Sequence, residues 1–134
     1  MPINFNDVYE QRKKLEENVF QPKEAYNRLL ISRGYYASFT HVCDLIKDKK
    51  NGINVIFRDS KGDKYGSHQR YYESLIQSGD KTLASIGTKL RNYHKKRKIA
   101  DYELKEYVKD LDVKIADQYL EECRALINLF LENK

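Results

Sequence analysis

From Pro22 to Asp48 apolar and small residues recur at intervals of three and four: Leu29, Ser32, Tyr36, Phe39, Cys43 and Ile46. Only a helix returns side chains to one face at that interval, so a long amphipathic helix is predicted over 22–48. Pro22 suits its first turn, where a missing N–H is no loss. A helix with such a stripe cannot cover it alone and needs other helices to pack against. Gly34 costs about 1 kcal/mol relative to alanine in a helix, and a small residue there lets a neighbour approach closely.

The rest of the chain supplies those neighbours. A first helix is predicted over 7–17, with Asn6 as its cap and Val8 and Leu15 on one face. The pattern breaks from Lys50 to Gly66, where Gly52, Gly62 and Gly66 mark a long loop. Within it Asn54 to Phe57 could form a short strand, although one without a partner. Ser67 reads as the cap of a third helix ending near Ser78 and Gly79. A fourth is predicted over 80–96, with Leu83, Ile86 and Leu90 inward. The last runs from Asp112 almost to the end, with Ile115, Tyr119, Cys123, Leu126, Ile127 and Phe130 as its stripe. Two prolines and six glycines are too few for a turn-rich β fold. The expected architecture is therefore all-α: a single domain of 134 residues, folded as an antiparallel bundle of four to five helices.

Charge narrows the partners. A formal net charge of +5 favours anionic ligands such as RNA, nucleotides or an acidic protein, and equally suits a plain solvated surface. Cys43 and Cys123 lie in apolar helical patterns with no Cys-x-x-Cys pair, so reduced thiols packed as small hydrophobes are expected. No apolar run approaches the roughly 20 residues a membrane span needs, and the opening Met1-Pro2-Ile3-Asn4 resembles no targeting peptide. A cytoplasmic protein with no membrane contact is the expectation.

Three places could carry chemistry. Arg33 lies beside the predicted seam, where an arginine either snorkels to an acidic neighbour or contacts phosphate. Ser67 and His68 open a helix, whose free N–H groups favour anions; His68 could act as acid or base, or simply lie exposed behind a cap. The segment from Lys89 to Tyr102 is the richest, with six cations, His94 and two tyrosines against one acid, Asp101. Cations can hold phosphate while rings stack on unpaired bases. The plainer reading is a basic helix end pairing with the helix dipole.

Ser32-Arg33-Gly34-Tyr35-Tyr36-Ala37-Ser38-Phe39 resembles the "R-x-Y-Y-A-x-F" helix of compact bacterial HEPN domains. Gly66-Ser67-His68 is similar to the "S-H" that opens their following helix. Arg97-Lys98-Ile99-Ala100-Asp101-Tyr102 resembles their "R-x-x-A-D-Y" element, and the closing helix with Ala116 and Ala125 fits theirs. The resemblance spans about residues 20 to 132. It implies a bundle that forms a homodimer with a cleft between subunits. It also implies a role in toxin–antitoxin pairs or phage defence, often beside a nucleotidyltransferase-type antitoxin. Many relatives are metal-independent ribonucleases that use an "R-x(4–6)-H" pair; here only two residues separate Arg91 from His94.

Three functions follow as expectations. The first is a module that binds RNA or a nucleotide through Lys95, Lys96, Arg97, Lys98 and Arg33. The second is a metal-independent endoribonuclease, with Arg91 and His94 as the pair, His68 as a further acid or base, and Arg97 as phosphate clamp. The third is a structural dimerisation module in which Tyr36, Asp101 and Tyr102 form a polar network between helices. No cofactor is expected. Nor is a metal, since His41, His68 and His94 lack carboxylates at ligand spacing.

Overall fold

The computed structural model describes residues 5, 6, 8–10 and 23–133. Four α-helices make the body: α1 (Lys23–Lys47), α2 (Gln69–Ile76), α3 (Lys81–Tyr102) and α4 (Asp110–Glu132), with a 3-10 turn at Lys49–Asn51. The all-α bundle is as expected, and among the described residues no strand forms. Most of the predicted first helix lies outside the described residues; the part that is described is helical already at Phe5 and Asn6. Asn6 is thus inside the helix rather than its cap, and Phe5 and Val8 are buried.

Helix α3 is the hub, packing on α1, α2 and α4. Leu83, Ile86, Leu90 and Tyr93 form its inner stripe, and the same spacing continues through Arg97 and Ala100. The helix therefore runs past the expected stop at Lys96 to Tyr102. Asp80 starts it, its carboxylate accepting from Leu83 N at 2.9 Å. Arg28 of α1 closes the far end: its guanidinium donates to the carbonyls of Ile99 (3.0 Å), Ala100 (2.9 Å) and Glu106. Carbonyls at a helix end run short of helical partners, so the arginine supplies what the end lacks. Helix α4 begins at Asp110, two residues earlier than expected, and Asp112 accepts from Lys109 N at 2.9 Å.

Helix α3 runs antiparallel to α4, with Lys89 beside Glu122 and Lys96 beside Asp112. Helices α1 and α4 run the same way. Asn27 donates to Asp110 at 2.9 Å near their starts, and Leu45 and Asp48 share a cavity lining with Ile127 and Leu131 near their ends. The stripe on α1 differs from the expected one. Tyr26, Leu30, Ile31, Tyr35, Val42 and Leu45 are buried, as is Ile46 of the expected seam, whereas Leu29, Ser32, Tyr36, Phe39 and Cys43 are half-buried. The helix is pressed by α3 on one side and α4 on the other, so its buried arc is centred about one residue away. Cys123 is buried and Cys43 half-buried, both as free thiols.

The connector 48–68 is irregular, as its glycines foretold. It holds a single antiparallel bridge, between Arg58 and Lys64, so Asn54 to Phe57 form no strand. Instead Ile53 and Val55 pack on the core, and Ile56 N donates to Ser74 Oγ at 2.7 Å. Ser67 does not cap α2: the residue flanking the helix is His68, and its side chain makes no capping hydrogen bond.

Helix α2 lies close on α3 at Gly87. A β-carbon there would meet Tyr72 O at 2.6 Å and Leu75 Cβ at 2.9 Å. Alanine is the better helix former by about 1 kcal/mol, yet Gly87→Ala should destabilise the fold by about 1–3 kcal/mol through overpacking against backbone. The urea midpoint of the variant checks this; an unchanged or raised midpoint would show that the α2–α3 packing can give way.

Candidate functional site

Three elements converge on one cluster. Helix α1 contributes Tyr35, Tyr36 and Phe39, the turn before α2 contributes His68, and α3 contributes His94, Arg97 and Asp101. On α3, His94, Arg97 and Asp101 are spaced three and four apart and so share a face.

The two imidazoles stack. His68 and His94 have ring centroids 5.0 Å apart and planes 18° apart. Tyr35 is buried beneath them: its hydroxyl lies 2.7 Å from His68 Nδ1 in a shared hydrogen bond, and its ring is 5.4 Å from His94. Phe39 packs on the outer side of His68 at 4.3 Å. Both histidines are half-buried, so each keeps part of its ring at the surface. With Nδ1 engaged by Tyr35, His68 has Nε2 left for a ligand.

Beside the pair sits Arg97, only 9% exposed. A buried guanidinium needs partners, because an unpaired charge in the interior is costly. It donates from Nη2 to Tyr36 Oη at 2.6 Å. Its Nε lies 2.7 Å from Asp101 Oδ2, an ion pair too bent to count as a hydrogen bond. Ser32 Oγ donates to the same carboxylate oxygen at 3.3 Å. The rings of Tyr36 and Tyr102 lie 5.1 and 5.2 Å from the guanidinium carbon, within cation–π reach.

This setting keeps both histidines uncharged at neutral pH. Burial, then repulsion from His68, Lys98 and Arg97, pulls His94 down to about 4. Burial and then Arg97 lower His68 as well. Burial raises the Tyr35 phenol, partly offset by Arg97, so it stays protonated. Two neutral imidazoles beside a fixed cation can accept a proton or hold an anion. A bound anion would offset the nearby cations and make protonation easier.

The expected residues are distributed unevenly. His68, His94, Arg97, Tyr36, Asp101 and Tyr102 come together. Arg91 is half-buried on α3 near Tyr72, whose ring is 5.9 Å from His94. The arginine packed beside the histidines is Arg97, while Arg91 lies one turn before His94 on the same helix. Lys96 is committed to Asp112 at 3.1 Å across α3 and α4, leaving Lys95 and Lys98 as the exposed lysines of that segment. Arg33 is exposed on α1. Sequence reasoning missed Tyr35 and Phe39 as site residues, although they lie inside the segment it singled out.

A comparison with family models, curated proteins and solved structures finds no match for this chain. Among the described residues no helix is long and apolar enough to cross a membrane, and no group of three or more His, Cys, Asp or Glu is placed to hold a metal.

A lowered histidine pKa makes the fold sensitive to acid. Above the unfolded value of 6.5 His94 is neutral in both states; as pH falls towards about 4 only the unfolded chain takes the proton. The wild type should lose about 1–2 kcal/mol over that window from His94, allowing for its partial exposure. His94→Asn should remove that part of the loss, which denaturation at neutral pH and at mildly acid pH measures. Parallel pH profiles for the two proteins would contradict the assignment.

Proposed function

We propose that the protein binds RNA on the face carrying Lys95, Lys98 and Tyr102 and cleaves it without a metal, using His68 and His94. The observation that carries this is the stacked imidazole pair beside the held guanidinium of Arg97. Cleavage of RNA needs a base for the ribose 2′-hydroxyl, an acid for the departing 5′-oxygen, and positive charge near the phosphate. One neutral imidazole takes the hydroxyl proton while O2′ bonds to phosphorus. The other, protonated in the presence of the phosphate anion, gives its proton to O5′ as the P–O5′ bond breaks. The products are a 2′,3′-cyclic phosphate and a free 5′-hydroxyl. Arg97 and Lys98 lend charge; Tyr35 orients His68.

The resemblance to HEPN domains supports an RNA-directed role, and with it a homodimer and a toxin–antitoxin or defence setting with a nucleotidyltransferase-type or other protein partner. Leu104, Tyr107 and Leu111, 77%, 68% and 62% exposed, offer an apolar surface that a second copy or another protein would cover. A second reading, RNA or nucleotide binding without turnover, is favoured by one observation. Arg97 is already matched by Asp101 and Tyr36, and so is less free to follow a changing phosphate charge.

Purified protein incubated with total RNA in EDTA separates the two. Wild type should cut and leave cyclic ends, while His68→Ala and His94→Ala should each fall about 100-fold or more with helicity retained. The rate should peak between two pKa values, as a base and an acid both require. Intact RNA with wild type, alongside binding that weakens with salt, would establish the non-catalytic reading. In either case, neutralising Lys95 and Lys98 should lower the salt slope of binding by about 0.7 for each phosphate no longer neutralised.

A further inference from the structure

The hairpin 57–65 holds an exposed ring that the fold itself does not explain. Phe57 is 57% exposed, so little of it is gained from burial. Yet its backbone is firmly placed. Tyr65 N donates to Phe57 O at 2.9 Å, and Asp59 N donates to Asp63 O at 2.8 Å. Arg58 Nη1 donates to Gly62 O at 2.8 Å, tying the loop to itself. Arg70 of α2 sets its guanidinium 5.6 Å from the Phe57 ring and 5.8 Å from that of Tyr71. Tyr71 packs on Phe39 at 5.6 Å, and Phe39 on His68 at 4.3 Å. Arg70 therefore bridges the Phe57 ring to Tyr71, from which ring contacts run through Phe39 to the histidine pair. Arg58, Lys61 and Lys64 are exposed on the same hairpin. Of the two acids among them, Asp59 is occupied by the turn, accepting from Lys61 N and Asp63 N at 2.8 and 2.9 Å; Asp63 is exposed.

We infer that this hairpin is a second nucleic-acid contact, in which an unpaired base stacks on Phe57 while Arg58, Lys61, Lys64 and Arg70 hold the adjoining phosphates. The inference rests on the RNA reading above and narrows its substrate to single-stranded RNA. A ring face is available only on an unstacked base, whereas a duplex would offer phosphates alone. Stacking accepts any base, so the hairpin positions a strand without selecting a sequence.

The chain contains no tryptophan, so the indole introduced by Phe57→Trp is its sole reporter. The probe is a 2′-O-methyl oligoribonucleotide, which cannot be cleaved through its 2′ position, supplied as a single strand and as a duplex of the same sequence. Indole emission should be quenched by the single strand and not by the duplex. Phe57→Ala should weaken single-strand binding about ten-fold, Phe57→Tyr should retain it, and duplex binding should be the same in all three. Unquenched emission with unchanged affinity of Phe57→Ala, in a protein that still cuts RNA, would overturn the hairpin's role and leave the histidine site standing. A wild type that neither binds nor cuts RNA would remove the functional reading and this inference together.

Discussion

Arg97 is the group around which the site is organised. It lies in register with Leu90 and Tyr93 on the inner stripe of α3, so the packing that buries those residues draws a full positive charge towards the interior. Such a charge is tolerated only where hydrogen bonds and counter-charge replace the water it has shed. Asp101 one turn onward supplies the counter-charge, and Tyr36 on α1 supplies an oxygen. Satisfying the arginine thus joins α1 to the end of α3. That same end is closed by Arg28, so two guanidiniums from different helices hold one stretch of chain.

The histidine pair follows from that arrangement. With α1 and α3 held in register at Tyr36 and Arg97, Tyr35 faces Tyr93 edge-on and lies under both imidazoles. Its hydroxyl fixes His68 and its ring supports His94. The site is in this sense built on a tyrosine that belongs to the core, with part of each imidazole left at the surface. Two imidazoles stacked at 5.0 Å near a guanidinium resist protonation. They do so because burial removes water and because the charges acting on His94, those of His68, Lys98 and Arg97, are positive or become so. The arrangement stores acid sensitivity in the fold and offers an anion a place where it relieves repulsion.

The basic segment of α3 divides its duties. Lys89 and Lys96 reach across to Glu122 and Asp112 and fasten α3 to α4. Arg97 turns inward. Lys95 and Lys98 remain at the surface. A run of cations that looks uniform in one dimension becomes inter-helix, inward-facing and solvent-facing once the helix wraps it, since neighbouring positions point about 100° apart.

The helical class, the position of the long connector and the segments that meet at the histidine pair were all legible in the order of residues. Apolar spacing and glycine clusters are local signals, and α1, the start of α3 near Asp80 and the 50–66 loop could be read for that reason, whereas the caps read at Asn6 and Ser67 were misplaced. Following the spacing beyond Lys96 would have shown Arg97 in step with Tyr93 and extended α3 by the missing turns. Packing between helices settled the rest: which arc of α1 turns inward, that Arg28 closes α3, and that His94 meets His68. Those outcomes depend on how helices distant in sequence press on one another, and periodicity within a helix carries no record of its neighbours.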